Sequence, residues 1–308
     1  MKVVVTGAGS RLGRAVIPQL CQCAEVSEVV GIGRKHFPSY SHSKLSVHQS
    51  DVRSPSLAQI FEGAHAVVHM AFAVTQRTMT PEQMYDNNVN GSRNVFRAAR
   101  SAGVEKIVNL SSVGIYGEGH RLVETAAFAP SHRWPYACHK AEVEEMLSTE
   151  FNDICSVQLR STYILGPNVI PVLRKLFTSR IYVRPRRPHP SFQVIHEDDV
   201  ASAVVAALDP QVSSDAFNLA APESVTMPEL VRNSRWFVIG IPVAAIEALH
   251  GAGGGNVRLI DTTLELIRAS LTVNTERART VLGWIPRFSA WDARAACDRN
   301  LSGNQRRT

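Results

Sequence analysis

The stretch Val3-Val4-Val5-Thr6-Gly7-Ala8-Gly9-Ser10-Arg11-Leu12-Gly13 is an apolar, strand-like run that passes into a glycine-rich turn. The next residues, Arg14-Ala15-Val16-Ile17, have the pattern of the start of a helix. Glycines let a backbone turn tightly and approach a pyrophosphate, whose charge amide hydrogens and the helix dipole stabilise. A turn used only for tight packing is the alternative. Because this turn opens the first strand-helix unit of the chain, we predict a dinucleotide site here.

Short apolar runs alternate with longer helical patterns in the first half of the chain. This alternation predicts an α/β fold, a doubly wound parallel sheet of the Rossmann type covered by helices on both faces. After Gly166 the pattern becomes irregular and proline-rich, which indicates a smaller C-terminal substrate-binding lobe. We place a dinucleotide-binding domain at residues 1–165 and a mainly substrate-binding lobe at 166–308, with a segment at about 192–220 returning to the first domain. The predicted strands are Val3–Val5, Val29–Ile32, Val67–Met70, Ile107–Leu110 and Val157–Leu159.

The composition is that of a folded protein with a small-molecule ligand. With 308 residues, 44% of them hydrophobic and 19% charged, the chain can bury a substantial core. The net charge of +6 comes from dispersed basic residues without a nucleic-acid motif, so an anionic cofactor or substrate accounts for it better than nucleic acid. The five cysteines form neither a Cys-x-x-Cys pair nor a metal-ligand pattern, which indicates reduced thiols, no metal and a cytoplasmic location.

No membrane or signal segment is expected. The chain begins with a strand rather than with the basic and apolar regions of a signal peptide. The apolar stretch 236–249 is interrupted by Pro242 and is shorter than the roughly 20 residues of a spanning helix, so we predict a buried or substrate-lobe helix there. Gly251–Gly255 has the composition of a surface loop.

A tyrosine and a lysine lie four residues apart in Tyr136-Ala137-Cys138-His139-Lys140. On a helix they share one face, so the ammonium of Lys140 would favour the phenolate of Tyr136. Such a pair can donate and accept a proton near neutral pH. This spacing also arises by chance on many helices. Ser112 and the N-terminal turn favour the catalytic interpretation.

In the order and spacing of its motifs the chain resembles the extended short-chain dehydrogenase/reductase family, also called the NAD-dependent epimerase/dehydratase family. Each motif is weak alone, and together they cover nearly the whole chain. One departure is Ser10, where the family usually has glycine. The matching motifs are the N-terminal turn, Asp51-Val52, His69-Met70-Ala71, Asn88–Val95, Ser111–Gly117, Tyr136 with Lys140, Arg160 with Gly166-Pro167, His196–Val200 and Leu282–Pro286.

The resemblance implies a catalytic set and a cofactor site. Ser112 would hydrogen-bond the substrate carbonyl or hydroxyl, Tyr136 would transfer the proton, and Lys140 would hold the nicotinamide ribose and lower the tyrosine pKa. Asp51 would approach the adenine, and Asn88 would support the site through the backbone unless it is only a capping or turn residue. The residues expected to contact the cofactor are Gly7, Gly9, Ser10, Arg11, Leu12, Gly13, Arg34, Asp51, Val52, Ala71, Asn88, Tyr136 and Lys140.

The end of the second predicted strand bears on the choice of cofactor. An NAD-preferring fold usually carries an acidic residue about 20 positions beyond the turn, which binds the ribose hydroxyls. Here Gly33 takes that position and Arg34 follows, so a guanidinium suited to a 2′-phosphate replaces a carboxylate that would repel it. Arg11 could approach from the other side. We therefore expect NADP to be preferred and NAD to be possible. The alternative is that Arg34 and Lys35 form a solvated basic loop.

Two departures from the family concern the reaction. Dehydratases of the family carry acidic residues after the catalytic hydroxyl, where this chain has Val113-Gly114. Nucleotide-sugar epimerases carry an asparagine where this chain has Tyr163, and an arginine at about the position of Ser191. A basic cluster could still supply charge to a substrate, although a solvated loop explains it too. The candidate substrate-binding residues are therefore Tyr163, Arg184, Arg186 and Arg187.

The remaining polar motifs have structural explanations. His69 and His196 lie beside strands without partners at metal-ligand spacing, and helix capping accounts for Asp198 and Asp199. The family commonly forms homodimers through two helices per subunit, and we expect a homodimer here. Residues that could supply the apolar contact surface, or could pack on their own sheet, are Met84, Val95, Phe96, Val143, Met146 and Leu147.

These expectations converge on an NADP-dependent oxidoreductase. It would move hydride between the nicotinamide and a secondary alcohol or ketone of a sugar-like or polyoxygenated metabolite. One alternative is a sugar epimerase that keeps its cofactor bound. Another is a regulatory protein that senses a dinucleotide without chemistry, against which the intact Ser112, Tyr136 and Lys140 argue.

Overall fold

The computed structural model of the chain describes residues 1–34, 40–74, 79–170, 173–174, 181–185, 189–231, 237–241 and 269–303. Its centre is a seven-stranded sheet in which every neighbouring pair is parallel. The described strands are β1 (Lys2–Thr6), β2 (Glu28–Gly33), β3 (Leu45–Gln49), β4 (Ala66–His69), β5 (Lys106–Ser112), β6 (Gly119–Leu122), β7 (Cys155–Ser161), β8 (Tyr163–Leu165), β9 (Ile181–Pro185), β10 (Ser191–Phe192), β11 (Val194–His196), β12 (Asp215–Leu219), β13 (Val225–Thr226), β14 (Phe237–Ile241) and β15 (Leu271–Val273).

The main sheet has the strand order β12-β7-β5-β4-β1-β2-β3. It therefore runs outward in both directions from the first strand-helix unit, which is the doubly wound arrangement predicted from the sequence. All five predicted strands are present. The sheet also contains β3 and β12, of which β12 is contributed by the C-terminal half and pairs with β7. Smaller sheets join β13, β10, β15 and β6, pair β11 with β8, and pair β14 with β9.

Helices cover both faces of the main sheet. Alternation along β1 shows this directly, because Val3 and Val5 pack into one apolar cluster and Val4 into another. The first cluster lies under α1 and α6, and the second under α4 and α5. The helices are α1 (Gly13–Gln22), α2 (Leu57–Ile60), α3 (Pro81–Tyr85), α4 (Gly91–Ser101), α5 (Pro135–Thr149), α6 (Glu197–Ala207), α7 (Met227–Val231), α8 (Glu276–Thr280) and α9 (Ala290–Gly303), with a π-helical turn at Asp86–Asn90 and a 3₁₀ turn at Val113–Tyr116.

The structure bears on two expectations about apolar segments, and the first of them is wrong. The stretch expected to be helical from 236 to 249 contains the strand β14, paired with β9, and its remaining positions lie outside the described residues, as does Gly251–Gly255. β-branched residues within β14 favour a strand, and Pro242 follows it directly. Six residues on α3, α4 and α5 were expected either to supply a dimer surface or to pack on their own sheet. All six are at most 2% exposed, so packing inside the subunit is the alternative that the structure supports. They cannot also form an exposed apolar face.

No helix within the described ranges combines the length and apolar character needed to cross a membrane. The five cysteines are all free thiols.

The glycine-rich turn is held by close backbone contacts. Gly7 has a φ of +71°, and a Cβ there would lie 2.7 Å from the amide nitrogen of Ala71, just beyond β4. A Cβ on Gly13 would lie 2.0 Å from the carbonyl oxygen of Ala8. These contacts fix the start of α1 against the end of β4.

We predict that Gly7→Ala lowers the free energy of unfolding by about 3 kcal/mol or more, since it combines an unfavourable φ with a backbone clash. Gly103→Ala is the matched control. Gly103 has a φ of +70° but nothing within 4 Å of an added Cβ, so it should lose only about 1–2 kcal/mol. Urea unfolding of both variants measures the difference. Equal losses would show that the approach of the turn to Ala71 does not constrain the fold.

Candidate active site

A chamber of about 360 Å³ opens at the carboxyl ends of the parallel strands. Parallel sheets bind ligands at this edge because the loops after several strands converge there. The glycine-rich turn, the segment after β4, the end of β5 and the start of α5 form one side, and the residues after β7 and β8 form the other. The predicted trio Ser112, Tyr136 and Lys140 lies together in its wall.

Tyr136 lies in the first turn of α5, which starts at Pro135, a residue favoured at the first helical position. Its ring stacks on Trp134 with 5.6 Å between centroids and meets Phe72 edge-on at 5.5 Å. Burial raises the pKa of Tyr136 to about 12, although a hydrogen bond with Ser112 acts in the opposite direction. The phenol is therefore protonated at neutral pH and able to donate.

Lys140 lies one turn further along the same face of α5, only 2% exposed. Its Nζ donates to the carbonyl oxygen of Leu110 and lies 3.7 Å from the ring centroid of Phe72, a cation–π contact. Burial lowers the pKa of Lys140 to about 7. The expectation that Lys140 depresses the pKa of Tyr136 is wrong for this arrangement. Its Nζ lies 5.9 Å from the Tyr136 ring centroid, and burial of the phenol is the larger effect.

Ser112 is the last residue of β5 and the cap of the following 3₁₀ turn. Its Oγ accepts a hydrogen bond from the amide of Gly114 at 3.1 Å, which orients the hydroxyl at the chamber wall. Gly114 also has a packing role, since a Cβ there would lie 2.5 Å from the indole of Trp134. A side chain at this position would therefore require the indole to shift.

Asn88 clamps the segment that carries Phe72. It lies in the π-helical turn, a feature often found near functional sites. Its Oδ1 accepts from the amide of Ala73 at 2.7 Å and its Nδ2 donates to the Ala73 carbonyl at 2.9 Å. Nδ2 also lies 3.3 Å from Nδ1 of His139, between Tyr136 and Lys140 on α5. The asparagine thus links the segment after β4 to the helix that carries Tyr136 and Lys140.

The expected cofactor residues occupy the turn and the strand ends around it. Gly9 leaves the backbone exposed, and Ser10, Arg11 and Leu12 line the chamber, so the turn can admit a dinucleotide. Arg34 is exposed at the end of β2, and Lys35 lies outside the described residues.

Other members of that set have partners within the chain. The carboxylate of Asp51 accepts hydrogen bonds from the guanidinium of Arg53 at 2.9 Å, and this holds the pKa of Asp51 below its usual value. Val52 packs against Gly91. Ala71 lies against Gly7 beneath the turn.

Of the candidate substrate residues, Tyr163 lines the chamber and packs edge-on against Phe192 at 5.7 Å. Arg184 lies in β9, and Arg186 and Arg187 lie outside the described residues. Ser191, at the position expected for an arginine, pairs with Thr226 in a small sheet.

The sequence analysis did not identify Glu197 as a site residue, although it lines the chamber. It is 3% exposed and accepts hydrogen bonds from the amide and side-chain nitrogen of Asn168, at 3.0 and 2.7 Å. Burial raises its pKa to about 7. The only signal in the sequence is a third acidic residue before Asp198 and Asp199, which is equally typical of the first turn of a helix.

The histidines expected to be structural lie in hydrogen-bonded positions. Nδ1 of His69 lies 2.7 Å from Oγ1 of Thr6, and Nε2 lies 2.8 Å from Oγ of Ser92. Because Ser92 donates to the carbonyl of Asn88, it accepts from Nε2–H, and Nδ1 accepts from Thr6. Burial lowers the pKa of His69 to about 3, so the ring is neutral. The described residues include no group of three or more His, Cys, Asp or Glu able to hold a metal ion.

His196 rather than an aspartate caps α6, since its Nδ1 accepts from the amide of Asp198. The capping expected of Asp198 and Asp199 is therefore wrong, and Asp199 has another role. Its carboxylate accepts from the amides of Arg287 and Phe288 and ties the C-terminal segment to α6.

Comparisons with known proteins find a matching family model, similar sequences and a similar fold. A family model described as NAD dependent epimerase/dehydratase family matches residues 3–220. A UDP-glucose 4-epimerase of Streptomyces lividans is 29% identical over 157 residues, covering 48% of this chain and 47% of that protein. A 2-alkyl-3-oxoalkanoate reductase of Stenotrophomonas maltophilia is 26% identical over 174 residues, covering 54% and 52%.

The chain thus spans about half the length of these two relatives. The solved structure of MoeE5 in complex with UDP-glucose and NAD aligns with a TM-score of 0.79 and 20% identity, covering 99% of this chain and 100% of that one. At this identity the likeness shows a shared fold.

The raised pKa of Glu197 predicts a pH-dependent loss of stability. A carboxyl whose pKa rises from 4.5 to about 7 on folding contributes stability below pH 4.5, which is lost as the pH rises to about 7. Glu197→Gln cannot ionise, so its free energy of unfolding should gain up to about 3 kcal/mol relative to wild type across this range. Urea unfolding at several pH values measures this. A constant difference between the two proteins would contradict the burial of this carboxyl.

Proposed function

The chain belongs to the NAD-dependent epimerase/dehydratase family, and from this premise we propose that it is an NADP-preferring oxidoreductase acting on a secondary alcohol or ketone. The observation that carries the proposal is the meeting of Ser112, Tyr136 and Lys140 in one chamber beside the glycine-rich turn. A protein that only senses a dinucleotide needs no such proton-transfer set.

In carbonyl reduction each part of the site would have a separate role. The turn and the start of α1 would hold the pyrophosphate, and Lys140 would bind the nicotinamide ribose. The bound nicotinamide supplies the hydride. Ser112 would donate a hydrogen bond to the substrate oxygen, and Tyr136 would give that oxygen its phenolic proton as the carbon receives hydride. The product is a secondary alcohol, and the phenolate regains a proton from solvent.

Two features support net reduction over the other reactions of the family. Val113 and Gly114 supply no carboxylate for elimination, and a Cβ on Gly114 would lie 2.5 Å from the Trp134 indole. Tyr163 stands where a diphosphate-binding asparagine is expected, which weakens recognition of a nucleotide sugar. An epimerase with retained cofactor is the second candidate, favoured by the relative from Streptomyces lividans. Absorbance of the reduced cofactor separates the two, because only reduction consumes it.

The preference for NADP rests on the end of β2. Gly33 places no carboxylate there, and exposed Arg34 is free to turn toward a 2′-phosphate. NAD is the alternative cofactor, and the solved MoeE5 complex contains NAD.

The substrate proposed from the sequence is sugar-like or polyoxygenated. Ser112 and Tyr136 suit an oxygenated carbon at the reacting centre. The wall formed by β8 and the segment after it is apolar where Ile164, Val169 and Leu173 line the chamber. We therefore narrow the proposal to a metabolite that is oxygenated at the reacting carbon and carries an apolar body.

The assignment of lobes and subunits extends this proposal. Residues 1–165 would bind the dinucleotide, and 166–308, except for the returning segment at about 192–220, would mainly bind substrate. A cytoplasmic homodimer is part of the proposal, but its contact surface must consist of residues other than the buried six. Tyr85 is exposed on α3 and donates a hydrogen bond to Glu142 on α5 at 2.5 Å. These two side chains belong to the helical segments through which we expect the subunits to pair.

Tyr136→Phe should lower turnover about 10²–10⁴-fold, because it removes the transferable proton while keeping the ring. Binding of NADP should stay nearly unchanged. Activity is followed as NADPH oxidation with the compound best reduced by wild type among ketones, keto-sugars and lactones. Tyr85→Phe is the matched control and should keep wild-type turnover. Undiminished activity of the Tyr136 variant would remove this residue from the mechanism.

Arg34→Asp should weaken NADP binding at least about tenfold while changing NAD binding far less, because it replaces a phosphate-binding cation with a repelling anion. Arg97→Asp makes the same charge change at an exposed position of α4 and should leave the ratio of the two affinities unchanged. Titration of both cofactors into all three proteins measures the ratios. A wild-type ratio in the Arg34 variant would refute the assignment.

A further inference from the structure

Glu197 is a buried carboxyl in the wall of the chamber that the mechanism does not use. It begins α6 directly after β11 and packs against Gly166, where a Cβ would lie 2.6 Å from its side chain. That close fit, together with Asn168, holds the carboxyl in one position. Asn168 provides all the hydrogen bonds that the carboxylate receives from the described part of the chain. Since a carboxylate has about four acceptor positions, Glu197 can accept a further donor.

The wall around this carboxyl is apolar. Val169, Ile170 and Leu173 line the chamber on the segment that follows Asn168, and Ile164 lines it on β8. A charged group among such side chains is costly unless a donor or cation pairs with it. A ligand that supplies a donor here therefore gains more than it would in water, and a ligand that brings a second anion is rejected.

Several other charges bear on this position. Arg174, beyond the apolar segment, donates to the carbonyls of Pro167 and Cys297, and its charge favours ionised Glu197. Asp198 disfavours it. Arg11 on the glycine-rich turn and Lys140 on α5 also line the chamber and, in the proposed function, serve the cofactor. Glu197 is the one acidic side chain among the described residues that line it.

We propose that Glu197 determines substrate specificity by accepting a hydrogen bond from a hydroxyl or ammonium group on an otherwise apolar substrate, and by excluding substrates with a carboxylate or phosphate at that end. This inference rests on the proposed function for the chamber being a substrate site. It implies that the substrate is a ketone or alcohol that has an apolar body and carries a hydroxyl or amino group.

The test measures equilibrium binding, so it does not depend on hydride transfer. Phenylpropylamine, phenylpropanol and phenylpropanoate share one apolar body and differ only in the terminal group. Their dissociation constants are measured by ligand-observed NMR titration with the NADP⁺-loaded protein at about pH 8, where a carboxyl with a pKa of about 7 is mainly ionised. Wild type should bind the amine and the alcohol about 10- to 100-fold more tightly than the carboxylate.

Glu197→Gln should remove this preference for the amine over the carboxylate. Asp198→Asn removes the neighbouring charge, which lies outside the chamber wall, and should retain the wild-type order. If the Glu197 variant fails to fold, the order of the three dissociation constants of wild type still tests the proposal. The proposal is overturned if wild type binds the carboxylate as tightly as the amine, if none of the three probes binds, or if Glu197→Gln keeps the wild-type preference. A failed ketone-reduction assay with the binding order intact would instead count against the proposed reaction.

Discussion

The site depends on the close approach of two backbone segments at Gly7 and Ala71. With no room for a side chain between them, β1 can pass into α1 directly above the end of β4. The segment continuing from Ala71 carries Phe72, which contacts both Tyr136 and Lys140. Asn88 then fixes this segment by bonding both polar groups of the Ala73 backbone. The contacts of Phe72 thus connect the steric constraint in the first turn to the helix that carries Tyr136 and Lys140.

The fold was largely predictable because its signals are local. Runs such as Val3–Val5 and Ile107–Leu110 are apolar at every position, as strands buried on both faces must be, and the intervening helices give the parallel order. β3 was missed because it is an exposed edge strand with little hydrophobic pattern. β12 lies in the segment at about 192–220 that was expected to return to the first domain, although its strand was not assigned from the sequence pattern. Which side of a helix faces its own sheet also depends on tertiary packing, so the six buried residues could not be distinguished from a dimer surface.

The sequence predicted which side chains meet in the chamber, but it did not predict their pKa values. The spacing of Tyr136 and Lys140 brings them onto one face, and the ends of neighbouring strands bring Ser112 to them. The roles of these three side chains are still predictions. The pKa values depend on burial, which spacing does not encode. Burial raises the pKa of Tyr136 to about 12 and lowers the pKa of Lys140 to about 7. A lysine charge acting alone on the phenol would instead lower the pKa of Tyr136. A protonated phenol suits donation to a carbonyl oxygen.

Glu197 shows the same limit. In the sequence it belongs to an acidic triplet at a helix start, where each carboxylate is favourable for the helix dipole. Only the fold separates the three. Asp198 is partly exposed beside His196, Asp199 holds the C-terminal segment, and Glu197 is enclosed in the chamber wall. Three adjacent carboxyl groups thus acquire a partly exposed, a tethering and a chamber-lining environment from the directions of their side chains.

The central claim is that hydride leaves the cofactor and stays on the product. Transfer of deuterium from NADPH carrying two deuterium atoms at the nicotinamide C4 to a ketone substrate tests this most directly, with mass spectrometry of the product. The account predicts one deuterium on the new alcohol carbon for each NADP⁺ formed. It would be contradicted by efficient interconversion of UDP-glucose and its 4-epimer without net oxidation of the cofactor and without label in the sugar.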